Sequence, residues 1–290
     1  MMFDRWFVLD AAADQAVLEG AGKKVVMPSL AGQDRTGETY LGQAALKKLY
    51  EPGKEFRSWD PFDHDRPGEK SEAMVNELLR ECAAFDGFMA PCVDVRLCHD
   101  HDVKLEDAWK AVVAKAGGRK VRFSDRMSEK GTALVVMTEY SGTEMGWFIN
   151  GSLSNYTHIL YGAQACDEGV RDAVARKYRV LLHMEDARAL RKEASNNLWK
   201  GKDAVLEVSG MNRYGHYERV RVSSMEIFNG MRPALEQIVL WVQDLLGALL
   251  LESRHVVLED GIRLRGCLND CFGLPQMLAE KTGYPVRREE

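Results

Sequence analysis

Residues 133–153, ALVVMTEYSGTEMGWFINGSL, constrain this chain more than any other stretch. The apolar runs 133–137 and 145–149 have the length of buried strands, and Asn150 followed by Gly151 supplies the positive φ angles of a tight hairpin turn. Two strands therefore flank a polar segment, residues 138–144, which becomes a loop at one end of a sheet.

A chain of 290 residues with 46% hydrophobic content can bury a substantial core, as one large domain or two lobes. The balance of 39 Lys and Arg against 44 Asp and Glu gives a formal charge of -5, which argues against nucleic acid as the principal partner. No apolar run reaches the roughly 18 residues of a membrane-spanning helix, and residues 1–14 lack the pattern of a signal sequence, so a cytoplasmic protein is expected. Met1, Met2, Phe3, Trp6 and Phe7 leave open a peripheral contact at the inner face of the membrane, although residues 6–9 also fit a first core strand.

The six cysteines do not form a secreted-domain framework, and reduced, mostly buried thiols are expected. Cys98, His99, Asp100 and His101 are adjacent potential ligands without the paired spacing of a structural zinc site. A loop between a strand and a helix explains them more simply, and no metal site is assigned.

Along the chain, residues 6–9 read as a strand ending at Asp10, and residues 25–27 as another. Residues 71–82 are an amphipathic helix with Met74, Leu78, Leu79 and Cys82 on one face. Residues 92–97 form a strand, Asp102 caps a helix carrying Leu105, Ala108, Trp109, Val112 and Val113, and residues 120–123 form the next strand. Val170, Ala173, Val174, Tyr178 and Leu181 mark a further helix, and residues 204–208 and 219–222 alternate as strands. Ser223 with Glu226 has the capping-box pattern before a long apolar stripe that includes Leu235, Ile238, Val242 and Leu249, with Pro233 as a site for a kink.

Read in this order, the chain resembles the MreB/MamK-like bacterial actins. The loop after residue 137 is similar to their second phosphate loop, D-I-G-G-G-T-T-E. Gly142, Thr143 and Glu144 keep its tail, Met137 stands in the place of the Asp, and Glu139 and Tyr140 stand in the place of glycines. Asp10 matches the Asp of the first loop, D-L-G-T, which is here followed by Ala11, Ala12, Ala13 and Asp14. Pro28 with Ser29, and SEAM at residues 71–74, match further motifs. Asp125 falls where the family's E-E-P-M segment carries a Glu that positions water. Gln164, Asp167 and Glu168 resemble G-G-D-x-x-D-E, and Arg191 and Glu193 fall on a basic residue and a Glu near the nucleoside. Residues 261–268 resemble G-I-V-L-T-G-G-G, keeping Gly266 and replacing two glycines with Cys267 and Leu268. Gly273 with Leu274, and residues 282–286, TGYPV, follow in the family's order.

The resemblance, which runs through most of residues 5–288, implies an α/β, actin-like, two-lobed fold, each lobe a mixed sheet with flanking helices and a small inserted subdomain. The first lobe would span 1–129 with an insertion at about 32–68, and the second 130–290 with one at about 171–222. It implies a cytoskeletal or scaffolding protein that assembles with itself or with another MreB-like actin, while the departures at Ala12, Ala13, Met137, Cys267 and Leu268 imply ATPase activity lost or strongly weakened and no cofactor. One alternative is a divergent ATPase holding ATP and magnesium through Asp10, Gly142, Thr143, Glu144, Arg191, Glu193 and Gly266, with Asp125 as its only catalytic candidate. Another is a chaperone-like adaptor on the same fold.

Overall fold

The computed structural model describes residues 4–12, 14–51, 55–63 and 65–289. Met1, Met2 and Phe3, read above for membrane contact, and Ala13 of the first loop lie outside the described residues. The chain divides into two compact units, Met1–Ser128 and Glu129–Glu290.

The first unit opens with an antiparallel meander, β1 (Trp6–Ala11), β2 (Gln15–Gly20) and β3 (Lys23–Pro28). Ala21 and Gly22, both at positive φ, turn β2 onto β3. A small sheet follows, made of β4 (Ala31–Asp34), β5 (Thr39–Leu41) and β6 (Phe56–Trp59), with α1 (Gly42–Leu49) after β5. A two-stranded ribbon, β7 (Phe62–Asp63) and β8 (Arg66–Pro67), then leads to α2 (Ser71–Glu81). The chain returns to the main sheet as β9 (Cys92–Leu97), crosses through α3 (Val103–Lys115) and enters again as β10 (Lys120–Asp125).

Strands β9 and β10 run parallel to β1, and a parallel pair requires a crossover, which α3 supplies. Alternation puts Phe7, Leu9, Val93 and Val95 on one face, where Met74, Leu78 and Leu79 of α2 and Trp109 and Val113 of α3 complete the core. Each such side chain contributes about 1.5–3 kcal/mol by leaving water. Asp102 caps α3, accepting a hydrogen bond from the Leu105 amide at 2.8 Å. Ala108, assigned to the buried face from its spacing, is exposed, because Trp109 and Val113 alone make the buried stripe of this helix.

The second unit starts with β11 (Ala133–Thr138), β12 (Thr143–Ile149) and β13 (Ser152–Ile159), again an antiparallel meander. Asn150 at φ 50° and Gly151 at φ 81° form the turn between β12 and β13. Next come α4 (Ala163–Tyr178), β14 (Val180–Leu181) and α5 (Met184–Trp199). A hairpin of β15 (Val205–Asn212) and β16 (Tyr217–Ser223) pairs with β14. Helix α6 (Ser224–Ala248) begins with the full capping box of Ser223 and Glu226 and carries Pro233 within it. The chain ends with α7 (Leu251–Asp260), β17 (Ile262–Gly266), α8 (Leu274–Thr282) and β18 (Val286–Arg288).

Strand β17 runs parallel to β11, and β18 parallel to β17. The two main sheets thus have one topology, β3-β2-β1-β9-β10 in the first unit and β13-β12-β11-β17-β18 in the second. Helix α6 packs on α4 and α5, and it meets α4 where a Cβ on Gly169 would stand 2.4 Å from the Gly230 carbonyl oxygen. Only glycine permits backbones this close.

Three local expectations change. Residues 15–20 form a strand that the short, half-polar run QAVLEG did not announce, although its buried Ala16 and Leu18 do alternate. The helix read through Leu181 stops at Tyr178, because Arg179 takes φ 62° and sends Val180 and Leu181 into β14. Residues 251–260 form an unforeseen helix, whose apolar residues do not gather on one face: Val257 is buried while Leu251 and Leu258 are exposed. Five of the six cysteines are buried and Cys267 is partly so. Among the described residues, no helix is long and apolar enough to cross a membrane.

Candidate functional site

In the first unit, Asp10 sits near the end of β1, beside a short loop pinned from β3. The Ser29 amide donates to the Asp14 carbonyl at 3.1 Å, and the Ser29 hydroxyl donates to the Ala12 carbonyl at 2.7 Å. The Asp10 carboxylate accepts a hydrogen bond from Arg126 Nε at 3.1 Å. The same guanidinium forks onto Asp65, with Nη2 to Oδ1 at 2.6 Å and Nη1 to Oδ2 at 3.2 Å.

Asp65, in the ribbon turn at φ 63°, is itself held by the Cys98 amide on Oδ2 at 3.0 Å and by the Trp109 indole on its carbonyl at 2.7 Å. Burial opposes its ionisation, but Arg126 and the Cys98 amide outweigh it and keep the carboxyl below the usual carboxylate range. Burial, with the Asp65 and Asp100 carboxylates, pushes the Cys98 thiol up, so it stays neutral at pH 7. Asp125 is the last residue of β10 rather than a loop residue, and its Oδ2 lies 2.9 Å from His99 Nδ1, with both side chains 43% exposed.

In the second unit, the loop between β11 and β12 is closed by the Glu139 amide donating to the Gly142 carbonyl at 2.8 Å. Its carbonyls turn toward α4: the Ala163 amide donates to Glu139 O at 2.9 Å, and the Gln164 amide to Tyr140 O at 2.7 Å. The first amides of a helix are a ready anion site, and here two of them are engaged by the loop. Gly162 permits this approach, since a Cβ there would lie 2.4 Å from Glu139 O. Thr143 is buried, its hydroxyl donating to the Tyr161 carbonyl at 2.7 Å, and the buried Glu144 accepts from the Tyr156 hydroxyl at 2.9 Å.

Tyr140, standing where the resemblance places a glycine, is itself buried and lies under the Arg188 guanidinium, 4.3 Å from the ring centroid. Arg188 Nε is 3.5 Å from Asp167 Oδ2, and Arg191 Nε donates to Asp167 Oδ1 at 2.6 Å. Arg191 is thereby buried against α4, where burial weakens its charge but Asp167 more than compensates and drives its pKa up. Glu193, two positions on, is exposed.

Gly266 ends β17 at φ 89°, and a Cβ there would fall 1.9 Å from the Thr138 carbonyl oxygen. The Cys267 amide donates to that oxygen at 2.8 Å, and the Leu268 amide donates to Thr138 Oγ1 at 3.0 Å. Leu268, in the place of a third glycine, is fully buried.

Within the second unit, Thr143, Glu144 and Arg191 are therefore parts of the fold's interior, while Gly266 and Glu193 are exposed. The groups that sequence reasoning passed over are Arg126, Asp65 and Arg188. Arg126 stood beside the noticed Asp125, and its charge next to that catalytic candidate was the available signal.

The MreB/Mbl protein family model matches residues 69–290. Among solved structures, the chain is similar to MreB5 of Spiroplasma citri bound to AMPPNP, with a TM-score of 0.84 and 16% identity over 99% of this chain and 92% of that one. It is also similar to the MamK double helical filament, with a TM-score of 0.76 and 13% identity over 99% of this chain and 94% of that one. A search of curated protein sequences found no match. With an actin-like α/β fold and a family match over well more than half its length, the chain belongs to the MreB/Mbl family.

Proposed function

We propose that this protein is a cytoskeletal scaffold that assembles with itself or with an active MreB-like actin, and that it does so without an ATPase cycle. What supports this reading is that, within each unit, the groups that the resemblance matches to phosphate or metal positions are engaged by the chain's own side chains and carbonyls. A phosphate cradle requires backbone amides open to the ligand, and a metal centre requires carboxylates open to a hydrated cation. Here Arg126 lies on Asp10, the carbonyls of Glu139 and Tyr140 engage the start of α4, and Tyr140 and Leu268 are buried where glycines would allow close approach. These residues do not fit magnesium and a triphosphate, and no catalytic step is assigned to Asp125.

Assembly is supported by apolar residues left in water around the end of α6 and along α7: Trp241, Leu250, Leu251 and Leu258, with Leu250 74% and Leu251 72% exposed. The structures it resembles include a MamK filament. Of the residues read for peripheral membrane contact, Phe7 is fully buried in the core and is not available for it; the exposed Phe88 between α2 and β9 is the apolar side chain that supports such a contact.

The test is sedimentation and electron microscopy of the chain alone and mixed with an active bacterial actin, each with and without Mg-ATP. Polymers or co-assembly independent of nucleotide are expected. A strict monomer that associates with no actin would overturn the proposal, and stable capture of a client enzyme instead would favour the adaptor alternative.

A further inference from the structure

The first unit holds a long-range arrangement that a scaffold alone does not require: two carboxylates from separate elements converging on one guanidinium. Asp10 comes from β1 and Asp65 from the turn between β7 and β8. Arg126 reaches both, at 3.1 Å and 2.6 Å, and its Nη2 also donates to the Arg96 carbonyl at 3.2 Å. Its backbone is fixed as well, the Arg126 amide donating to the Leu97 carbonyl at 2.9 Å. The Arg126 and Asp65 side chains are 5% and 7% exposed, whereas Asp10 retains 28%. Asp65 takes a left-handed backbone conformation, which Asp adopts more readily than most residues, in the turn that carries it to this cation.

Two carboxylates meeting at one point are the kind of donor set that takes a divalent cation with water completing its shell. A guanidinium brings one positive charge, half that of a divalent ion, but it reaches both acids at once, cannot be deprotonated and never dissociates. We propose that Arg126 is a built-in cation that fills, in the first unit, the point between Asp10 and Asp65 that a divalent metal would otherwise take, so that the two carboxylates are held together without metal. This rests on the nucleotide-independent reading and names the group that makes it possible.

The strongest consequence is that removing the guanidinium should expose a cation site. Mn²⁺ is titrated, without nucleotide, into the wild-type full chain, into Arg126→Met and into the double variant Arg126→Met with Asp10→Asn. Binding is read by electron paramagnetic resonance, and thermal midpoints are measured in chelator and in millimolar Mn²⁺. The wild type is expected to show no Mn²⁺ binding that depends on Asp10 and the same midpoint in both solutions. Arg126→Met is expected to melt lower in chelator, to recover with Mn²⁺ and to bind the ion at least roughly tenfold more tightly than wild type, a gain that the double variant loses.

Wild-type Mn²⁺ binding that disappears on Asp10→Asn would overturn the proposal, as would a folded Arg126→Met that binds no more tightly than wild type. Should Arg126→Met fail to fold, the wild-type titration with its Asp10→Asn control decides alone: Asp10-dependent binding overturns the proposal and its absence supports it. Because no nucleotide is present, tight Mg-ATP binding would overturn the proposed function and leave this result readable on its own.

Discussion

The Tyr140 ring lies under the Arg188 guanidinium at 4.3 Å, and Arg188 in turn faces Asp167 on α4. A loop that would hold phosphate in an ATP-binding actin is thereby packed through an aromatic side chain into the interior of the second unit. Tyr140→Ala should cost about 3–5 kcal/mol, combining a lost buried aromatic with a lost cation–π contact. Urea unfolding would measure this. A loss below about 0.5 kcal/mol would mean that the ring is not part of the packed interior.

Gly266 faces a harder constraint, since its φ of 89° and the Thr138 carbonyl 1.9 Å from a built Cβ both exclude a side chain. Gly266→Ala should cost about 3 kcal/mol or more, whereas Cys267→Ala, at a partly exposed neighbour, should cost under about 1 kcal/mol. Comparing the two midpoints in one denaturant series checks this, and equal effects would contradict it.

The strands at residues 6–9, 92–97, 133–137 and 145–149, the turn at Asn150 and Gly151, and the caps at Asp102 and Ser223 were legible because each depends on neighbours in sequence. The strand of residues 15–20 was hidden because only Ala16 and Leu18 are buried in it. Helix α7 was hidden because its apolar residues are spread around the helix. The site was legible as departures from a motif, Met137, Tyr140 and Leu268 among them, but not as what replaces the lost chemistry. Arg126 meets partners 116 and 61 positions away, and no local pattern encodes such pairs.

Acid should weaken the second unit in a definite window. Glu129 accepts from the Lys130 and Gly131 amides and pairs with Arg263 and Arg265 at 2.7 Å and 2.8 Å. Burial opposes its ionisation, yet those amides and arginines bring its pKa down from 4.5 to about 2. A carboxyl whose folded pKa is depressed stabilises fully above its unfolded value and loses that contribution as pH falls through the folded one. Stability should therefore fall between pH 4.5 and about 2. Glu129→Gln should flatten that slope and lower stability at pH 7 by about 1–3 kcal/mol. An unchanged slope in the variant would contradict the assignment.

Exposed apolar residues on α7 carry the assembly reading. The double substitution Leu251→Glu with Leu258→Glu should leave the thermal midpoint within a few degrees of wild type, because both side chains already face water. It should abolish pelleting of the chain, alone or with an active actin. Undiminished assembly would place the contact surface elsewhere.

The most direct measurement is calorimetry of Mg-ATP titrated into the full chain from micromolar to millimolar concentration. Arg126 on Asp10, the engaged amides of α4 and the buried Tyr140 and Leu268 together lead to an expected affinity weaker than about 1 mM, less than about 4 kcal/mol of binding free energy. Restoring Met137→Asp alone should not change that result. Saturable micromolar binding by the wild-type chain would contradict the account.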